Sequence, residues 1–279
     1  QPARLAHDGR RAVGQAVHLV EAAWLVQRGH EEQVAARLDA VGQLVVVATV
    51  EADPARKGLL QGGVSPAEGA ELLLEPVDLL DLSAAFSSLP LPRGNRVAVM
   101  TLGGGWGVVT ADLCTHFGLD VIALSPDIIE AIDQILPPYW SRSNPIDLVG
   151  ERDPGIPTAV LELLLKWEGC DAVINLGIVG RRQVLKSHGA SVLKADPTYS
   201  ADFIKQIHTE FKKFEKDYIA QIIDLMETYR KPVFGVSMLP DEKHQTVYPH
   251  ENHEFKGVFF PTPERAVRAF AKMVQYQKF

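Results

Sequence analysis

Apolar residues recur at two different periods along the chain. From Gly9 to Arg28, Val13, Val17, Val20, Trp24 and Leu25 follow spacings near three and four, which predicts an amphipathic helix. Glu31 to Leu38 predicts a second helix. Within Gln43–Val50, the β-branched run Leu44-Val45-Val46-Val47 predicts a buried strand. Asp53-Pro54 and Gly62-Gly63 punctuate a loop, and Glu75 to Phe86 predicts a helix with Leu79, Leu80 and Phe86 on its apolar side. One strand and three helices do not close a sheet. Residues 1–91 are therefore expected to be a partial or divergent α/β segment, ended by the linker-like run Pro90-Leu91-Pro92-Arg93-Gly94.

Beyond the linker, strand and helix patterns alternate. Strands are predicted at Arg96–Thr101, Leu119–Leu124, Asp171–Ile178, Pro232–Met238 and Gly257–Phe260. A helix from Gly107 to Phe117 is stopped by Gly118. Another runs from an N-cap at Ser125, through Pro126 as first helical residue, to Leu136, where Pro137-Pro138 ends it. A loop over Ser141–Asp153 leads to a helix at Pro157–Trp167. Tyr199–Tyr229 predicts a long helix carrying Phe203, Ile207, Phe211, Phe214, Tyr218, Ile222 and Leu225. The terminal helix starts at Thr262-Pro263-Glu264 and faces Val267, Phe270, Met273 and Val274 inward. This alternation implies right-handed crossovers and a mostly parallel sheet. Residues 92–279 are expected to be a flavodoxin-like doubly wound α/β domain, with ligands at the carboxyl ends of its strands.

Composition narrows the function classes. The 279 residues carry 35 Asp+Glu against 28 Lys+Arg, a formal charge of −7, which argues against nucleic-acid or anionic-membrane binding. No apolar run is long enough to span a bilayer. Two cysteines, Cys114 and Cys170, make no disulfide framework, so a cytoplasmic location is expected. The first residues, Gln1-Pro2-Ala3-Arg4, lack an initiator Met and a signal-peptide core, as expected for a trimmed fragment. Residues 1–115 hold one lysine, Lys57, and eight arginines, whereas 116–279 hold twelve lysines and seven arginines. That break supports reading the two parts separately.

The first strand after the linker runs into Leu102-Gly103-Gly104-Gly105-Trp106-Gly107 and then a helix. Glycines let an anion approach backbone amides without a Cβ in the way, and the helix amino end adds unpaired N–H groups and partial positive charge. Gly103, Gly104, Gly105, Trp106, Gly107 and Val108 are the expected phosphate-binding backbone. A tight strand–helix turn would need fewer than four glycines in five positions. The dinucleotide fingerprint fails because its third glycine falls on Val108, and no Gly-Lys-Ser/Thr follows for a Walker A loop.

The run Pro92 to Val108, with Ala111-Asp112 and Gly118-Leu119, resembles the third domain of NDP-forming (ADP-forming) acyl-CoA synthetases. These are acetate–CoA ligases related to succinyl-CoA synthetase. Ser143-Asn144-Pro145-Ile146-Asp147-Leu148-Val149-Gly150 resembles the family's Asn-Pro-hydrophobic-Asp-Leu motif. Lys231-Pro232-Val233 and Phe260 to Ala269 resemble its closing strand and helix. The resemblance extends over residues 92–279. It implies an enzyme interconverting acyl-CoA, ADP and phosphate with acid, CoA and ATP through a phosphohistidine. The helix after the glycine loop would steady the phosphoryl group, while Asn144 and Asp147 order the adjacent loop. CoA and ATP/ADP with Mg are implied as substrates of the whole enzyme, bound mostly by a CoA-binding domain and an ATP-grasp subunit or domain, in an oligomer. Residues 1–91 would be the remnant of a preceding ligase domain. They contain no Ser-His-Thr-Gly-Ala-type loop for the phosphohistidine, so this chain alone is not expected to complete the reaction. Trp106 stands where the family usually has a small residue or Pro, and either lines or narrows the pocket. The alternative function is a non-catalytic regulatory or assembly module that keeps the fold.

Other positions also carry side chains capable of chemistry. Lys186-Ser187-His188-Gly189-Ala190 looks superficially like the histidine loop but follows the third strand of the wrong domain. His188 is a catalytic candidate against a solvated-loop alternative. Arg181 and Arg182, just past that strand, are possible anion contacts. His244, His250 and His253 with Glu251 and Glu254 lack helical ligand spacing, so a polar surface loop and no metal are expected. Lys205, Lys212, Lys213 and Lys216, balanced by Glu210, Glu215 and Asp217, predict an exposed helix face. Cys114 and Cys170 are expected to be buried rather than nucleophilic.

Overall fold

The computed structural model describes residues 76–150, 153–196, 198–238 and 245–277. The helices expected over 9–28 and 31–38, the strand over 43–50 and the loop around 53–63 lie outside the described residues. Helix α1 (Pro76–Ser88) leads into a compact unit that begins at Ala84. Strand β1 (Arg96–Thr101) is followed by α2 (Gly104–His116), β2 (Asp120–Val121), α3 (Pro126–Asp133), β3 (Ile146–Asp147) and α4 (Ile156–Lys166). Then come β4 (Ala172–Leu176), α5 (Arg182–Ala195), α6 (Ala201–Tyr229), β5 (Val233–Val236), β6 (Val247–Tyr248), β7 (Gly257–Phe260) and α7 (Pro263–Gln277).

The strands join in the order β2-β1-β4-β5-β7-β6, with β3 also on β1. All pairings are parallel except β6–β7. Without the short β3 and β6, the order is the flavodoxin-like 2-1-3-4-5. Helices α2 and α7 pack together on one face, and α4 and α6 on the other. Both faces are thus covered, which is why β1 and β4 are continuous apolar runs: Val97, Ala98, Val99, Met100, Ala172, Val173 and Ile174 are fully buried. Each fully buried Val or Ile contributes roughly 1.5–3 kcal/mol relative to exposure. Val267, Phe270, Met273 and Val274 of α7 face this core, as their spacing predicts.

Three departures from the sequence expectations have local causes. Strand β2 stops at Val121, short of the predicted Leu124, because a side chain takes over the edge of β1 from there. Asn144 Nδ2 donates to the Val97 and Ile122 carbonyls, both at 2.9 Å, and its Oδ1 accepts from Val99 N–H at 2.9 Å. Next, β3 interrupts the loop expected over 141–153, pairing Ile146 and Asp147 with Met100 and Thr101. One edge of β1 is therefore served in turn by β2, one amide side chain and β3. Finally, the segment around His188, expected as a loop, lies within α5. Gly189 hides the helical pattern, yet a Cβ there would lie 2.6 Å from Ile204 Cγ2 of α6, so the two helices can approach only at glycine.

The amino edge of the sheet is locked by charge. Arg96 Nε and Nη2 grip Asp171 Oδ2 and Oδ1 at 2.8 Å each, and Arg96 N–H adds a third bond at 3.0 Å. Burial pushes the Asp171 carboxyl up, but the bonds and charge from Arg96 outweigh it and hold it below the ordinary range. Buried Lys231 donates to the Trp167 carbonyl at 2.8 Å beside it.

Asn144 generates a stability prediction. Asn144→Ala leaves one N–H and two carbonyls of the sheet unpaired, so it should cost about 2–4 kcal/mol in urea denaturation. Asn144→Asp keeps the acceptor for Val99 but loses both donations, and should cost no less. A loss below about 0.5 kcal/mol for the alanine variant would contradict the bridging role.

Candidate functional site

The carboxyl edge between β1 and β4 is where the winding of the sheet reverses, and α2 and α5 both begin there. Strand β1 ends at Thr101, whose Oγ1 accepts from Gly103 N–H at 3.1 Å and donates to Gly103 O at 2.9 Å. Gly103 takes the N-cap position, and α2 starts at Gly104, three residues earlier than the expected Gly107. Most of the glycine run is thus the first helical turn rather than a preceding loop. Glycine is compatible with this because its cost applies mainly to helix interiors.

The amides of the run are not equivalent. Gly103 N–H is held by Thr101, and Trp106 and Gly107 N–H point to Gly103 O at 3.1 and 3.4 Å. Gly104 and Gly105 keep N–H groups without a partner among the described residues, as expected at a helix amino end. The glycines also differ sterically. A Cβ on Gly107 would lie 2.9 Å from both Pro145 Cβ and Thr101 Cγ2, so packing demands glycine there. A Cβ on Gly104 would sit 3.0 Å from Asp147 Oδ2. At Gly103 and Gly105 a Cβ would meet nothing within 4 Å. Among the described residues no contact requires glycine at those two positions, and their lack of side chains leaves the free amides open.

Of the other residues singled out from sequence, Asp147, Trp106, Arg181 and Arg182 lie at this edge. Asn144 is built into the side of β1. Asp147 Oδ1 accepts from Val149 N–H at 2.8 Å, while its other oxygen lies against Gly104, where a carboxylate suits the helix dipole. That bond helps hold Val149 at φ +50, an unusual backbone for a β-branched residue. Trp106 lays its indole over the end of β4: Cζ3 and Cε3 are 3.7 and 3.8 Å from where a Cβ of Gly177 would be. Arg181 reaches the same place, its Nε donating to Gly177 O at 3.3 Å and its guanidinium 5.5 Å from the centre of the Phe211 ring. Arg182 is the first residue of α5. His188 is exposed in the middle of α5 and is not brought to this edge by a loop.

Sequence reasoning missed Glu215. Its lysine-rich surroundings predict an exposed face, but its side chain is buried, and Oε1 accepts from Gly180 N–H at 2.8 Å and Arg181 N–H at 3.1 Å. Of the charges around it, Glu215 falls on the Tyr218/Ile222 stripe of α6, four residues before Ile219, and that spacing was the available signal. Cys114 and Cys170 are buried, and burial pushes their thiols up to about 12 and about 11. Neither is poised as a nucleophile.

Residues 97–181 match the Ligase-CoA domain family. The chain is 36% identical over 102 residues to the α subunit of ADP-forming acetate–CoA ligase II from Pyrococcus furiosus, covering 37% of this chain and 22% of that protein. It is 26% identical over 208 residues to ADP-forming acetate–CoA ligase II from Archaeoglobus fulgidus, covering 72% of this chain and 26% of the relative. The chain thus spans about a quarter of the length of these relatives. A crystal structure from Pyrococcus horikoshii aligns over 74% of this chain and 41% of its own, with a TM-score of 0.53 and 23% identity, and shares the fold. The resemblance to ADP-forming acyl-CoA synthetases holds, and so does the α/β, mostly parallel architecture. No helix among the described residues is long and apolar enough to cross a membrane.

The histidine cluster sits away from this edge, and His244 lies outside the described residues. His253 Nε2 is 2.8 Å from Asp224 Oδ1 on α6, and its Nδ1 is 2.9 Å from both Glu251 O and His250 Nδ1. Among the described residues, no group of three or more His, Cys, Asp or Glu converges as a metal cage. The Glu251 carbonyl raises the His253 pKa above the ordinary value, burial opposes it, and Asp224 adds to the rise. A raised folded-state pKa means stability that is full below the ordinary imidazole range of about 6.5 and lost as pH rises through the folded value. An NMR titration should place His253 above an unstructured histidine, and Asp224→Asn should bring it down. An unchanged midpoint in the variant would contradict this ion pair.

Proposed function

From a Ligase-CoA domain at residues 97–181, shared with ADP-forming acid–CoA ligases, we propose that this chain is part of an acid–CoA ligase. The whole enzyme interconverts acyl-CoA, ADP and phosphate with free acid, CoA and ATP, by way of a phosphohistidine. This domain grips the phosphoryl group at the amino end of α2. The observation that carries the reading is the pair of free amides at Gly104 and Gly105, approached over two glycines whose Cβ positions face open space. A phosphoryl group bears between one and two negative charges near pH 7 and is met by a helix amino end without any excess of lysine. Preorganised amides of this kind stabilise charge that develops during transfer because they need no rearrangement.

The other substrates belong elsewhere in the assembly. CoA is assigned to a CoA-binding domain, and ATP/ADP with Mg to an ATP-grasp subunit or domain. The Trp106 indole lies over the end of β4 at Gly177, beside the first turn of α2. The histidine that carries the phosphoryl group is supplied by another domain.

The test uses the full-length parent protein together with its partner subunit. Incubated with a panel of acyl-CoA thioesters, ADP and phosphate, it should form ATP. Gly105→Val, which fills open space and leaves packing intact, should lower kcat by about 100-fold through crowding the amides. No ATP across the panel, or an unimpaired Gly105→Val enzyme, would overturn the proposal.

A further inference from the structure

Strand β6 has only two residues, yet it covers the outer edge of β7. So short a strand depends on what holds the chain beyond it. The segment after β6 crosses to the carboxyl end of α6 and is tied there. Glu227 Oε1 accepts from Glu254 N–H at 2.6 Å and from Phe255 N–H at 2.9 Å, and Arg230 Nη1 meets Glu254 Oε2 at 2.6 Å. Nearer to β6, His253 Nε2 lies 2.8 Å from Asp224 Oδ1, one turn back along α6.

On the other side of the His253 ring, three polar atoms form a triangle. His253 Nδ1 is 2.9 Å from both His250 Nδ1 and Glu251 O, and His250 Nδ1 is 3.2 Å from Glu251 O. A carbonyl oxygen only accepts, so any N–H within the triangle comes from an imidazole. The longest edge joins His250 Nδ1 to Glu251 O, as two acceptors facing one donor would stand. The distances therefore assign the N–H to His253 Nδ1, shared between the other two atoms. When His253 gives up its charge, His250 can turn an Nδ1–H inward and keep the count at one. Two protons do not fit. Both N–H groups would then face each other across 2.9 Å, on two cations whose ring centres are 4.4 Å apart. The charged groups around the pair are Asp224, Glu227 and Arg230 on α6, Glu251 and Glu254 within the segment, and Lys256 after it. On β6, the titratable Tyr248 packs edge-on against Phe259.

We propose that residues 249–253 are an acid-released strap, closed on α6 by one proton in the His250–His253–Glu251 triangle, opened by a second, and guarding the outer edge of β7. The ties at Glu227 and Arg230 involve no imidazole. Release therefore runs from β6 to His253, while Glu254 and Phe255 stay held. The freed length uncovers the edge of β7, a row of backbone groups open to another strand. This device is independent of the phosphoryl-binding reading of the α2 amino end.

The test is NMR of the ¹⁵N-labelled 279-residue chain, taken from about pH 8 to about pH 4.5, a range that stops above ordinary carboxylate titration. Ring signals report the protonation of His250, and hydrogen-exchange protection factors report the backbone. Phe259 N–H donates to Thr246 O at 2.8 Å, just before β6, and is the reporter of the edge. Its protection should fall about 2- to 5-fold as His250 takes up its proton, the range for one exposed charged contact. Protection at Glu254, Phe255 and β1 should not follow, which separates strap release from unfolding of the domain. His250→Ala leaves His253 its bonds to Glu251 O and Asp224, and in that variant the fall should disappear. A fall that persists in His250→Ala would overturn the proposal. So would a Phe259 amide whose protection stays constant while His250 titrates.

Discussion

Helix α2 has to begin within a few residues of the end of β1, and that is possible because Gly107 has no side chain. A single added carbon would press on Thr101 and Pro145 at 2.9 Å. The close approach sets the start of the helix at Gly104 and aims its first amides past the end of the sheet. It also brings the Asn144–Asp147 segment under the helix, where Asn144 completes the edge of β1 and Asp147 meets Gly104. Sheet edge, helix start and exposed amides are thus consequences of one contact, and a change at any of them strains the other two.

The two ends of the sheet do opposite things with charge. At the amino edge, Arg96, Asp171 and Lys231 each find close partners, so that end is finished as a structure. At the carboxyl edge, the Gly104 and Gly105 amides lack partners among the described residues. The net charge of −7 is spread over the rest of the chain and does not describe this edge. Local field there comes from the oriented backbone at the start of α2.

Much of this was legible in the sequence because it followed from periodicity. The apolar runs of β1 and β4 and the stripe of α7 are fixed by burial on both faces, and their bounds fall within a few residues of those expected. The glycine run was legible as a sharp strand–helix junction, but not which amides would be free, since that depends on Thr101 Oγ1 turning back on Gly103. Strand β3 could not be read from two residues whose partners, Met100 and Thr101, lie far back in the sequence. Helix α5 was hidden by Gly189, a residue that opposes helix locally yet is required by its packing against Ile204. Glu215 was lost among surface charges, because burial of a single carboxylate is decided by the loop it holds rather than by its own neighbours in sequence.

The central claim is that the amino end of α2 receives a phosphoryl group through two backbone amides. The most direct measurement is a titration of the ¹⁵N-labelled chain with inorganic phosphate, followed amide by amide. The account predicts that the Gly104 and Gly105 resonances shift most, saturably, with smaller changes at Trp106 and Gly177. Saturable shifts centred elsewhere in the domain, with Gly104 and Gly105 unmoved, would contradict it.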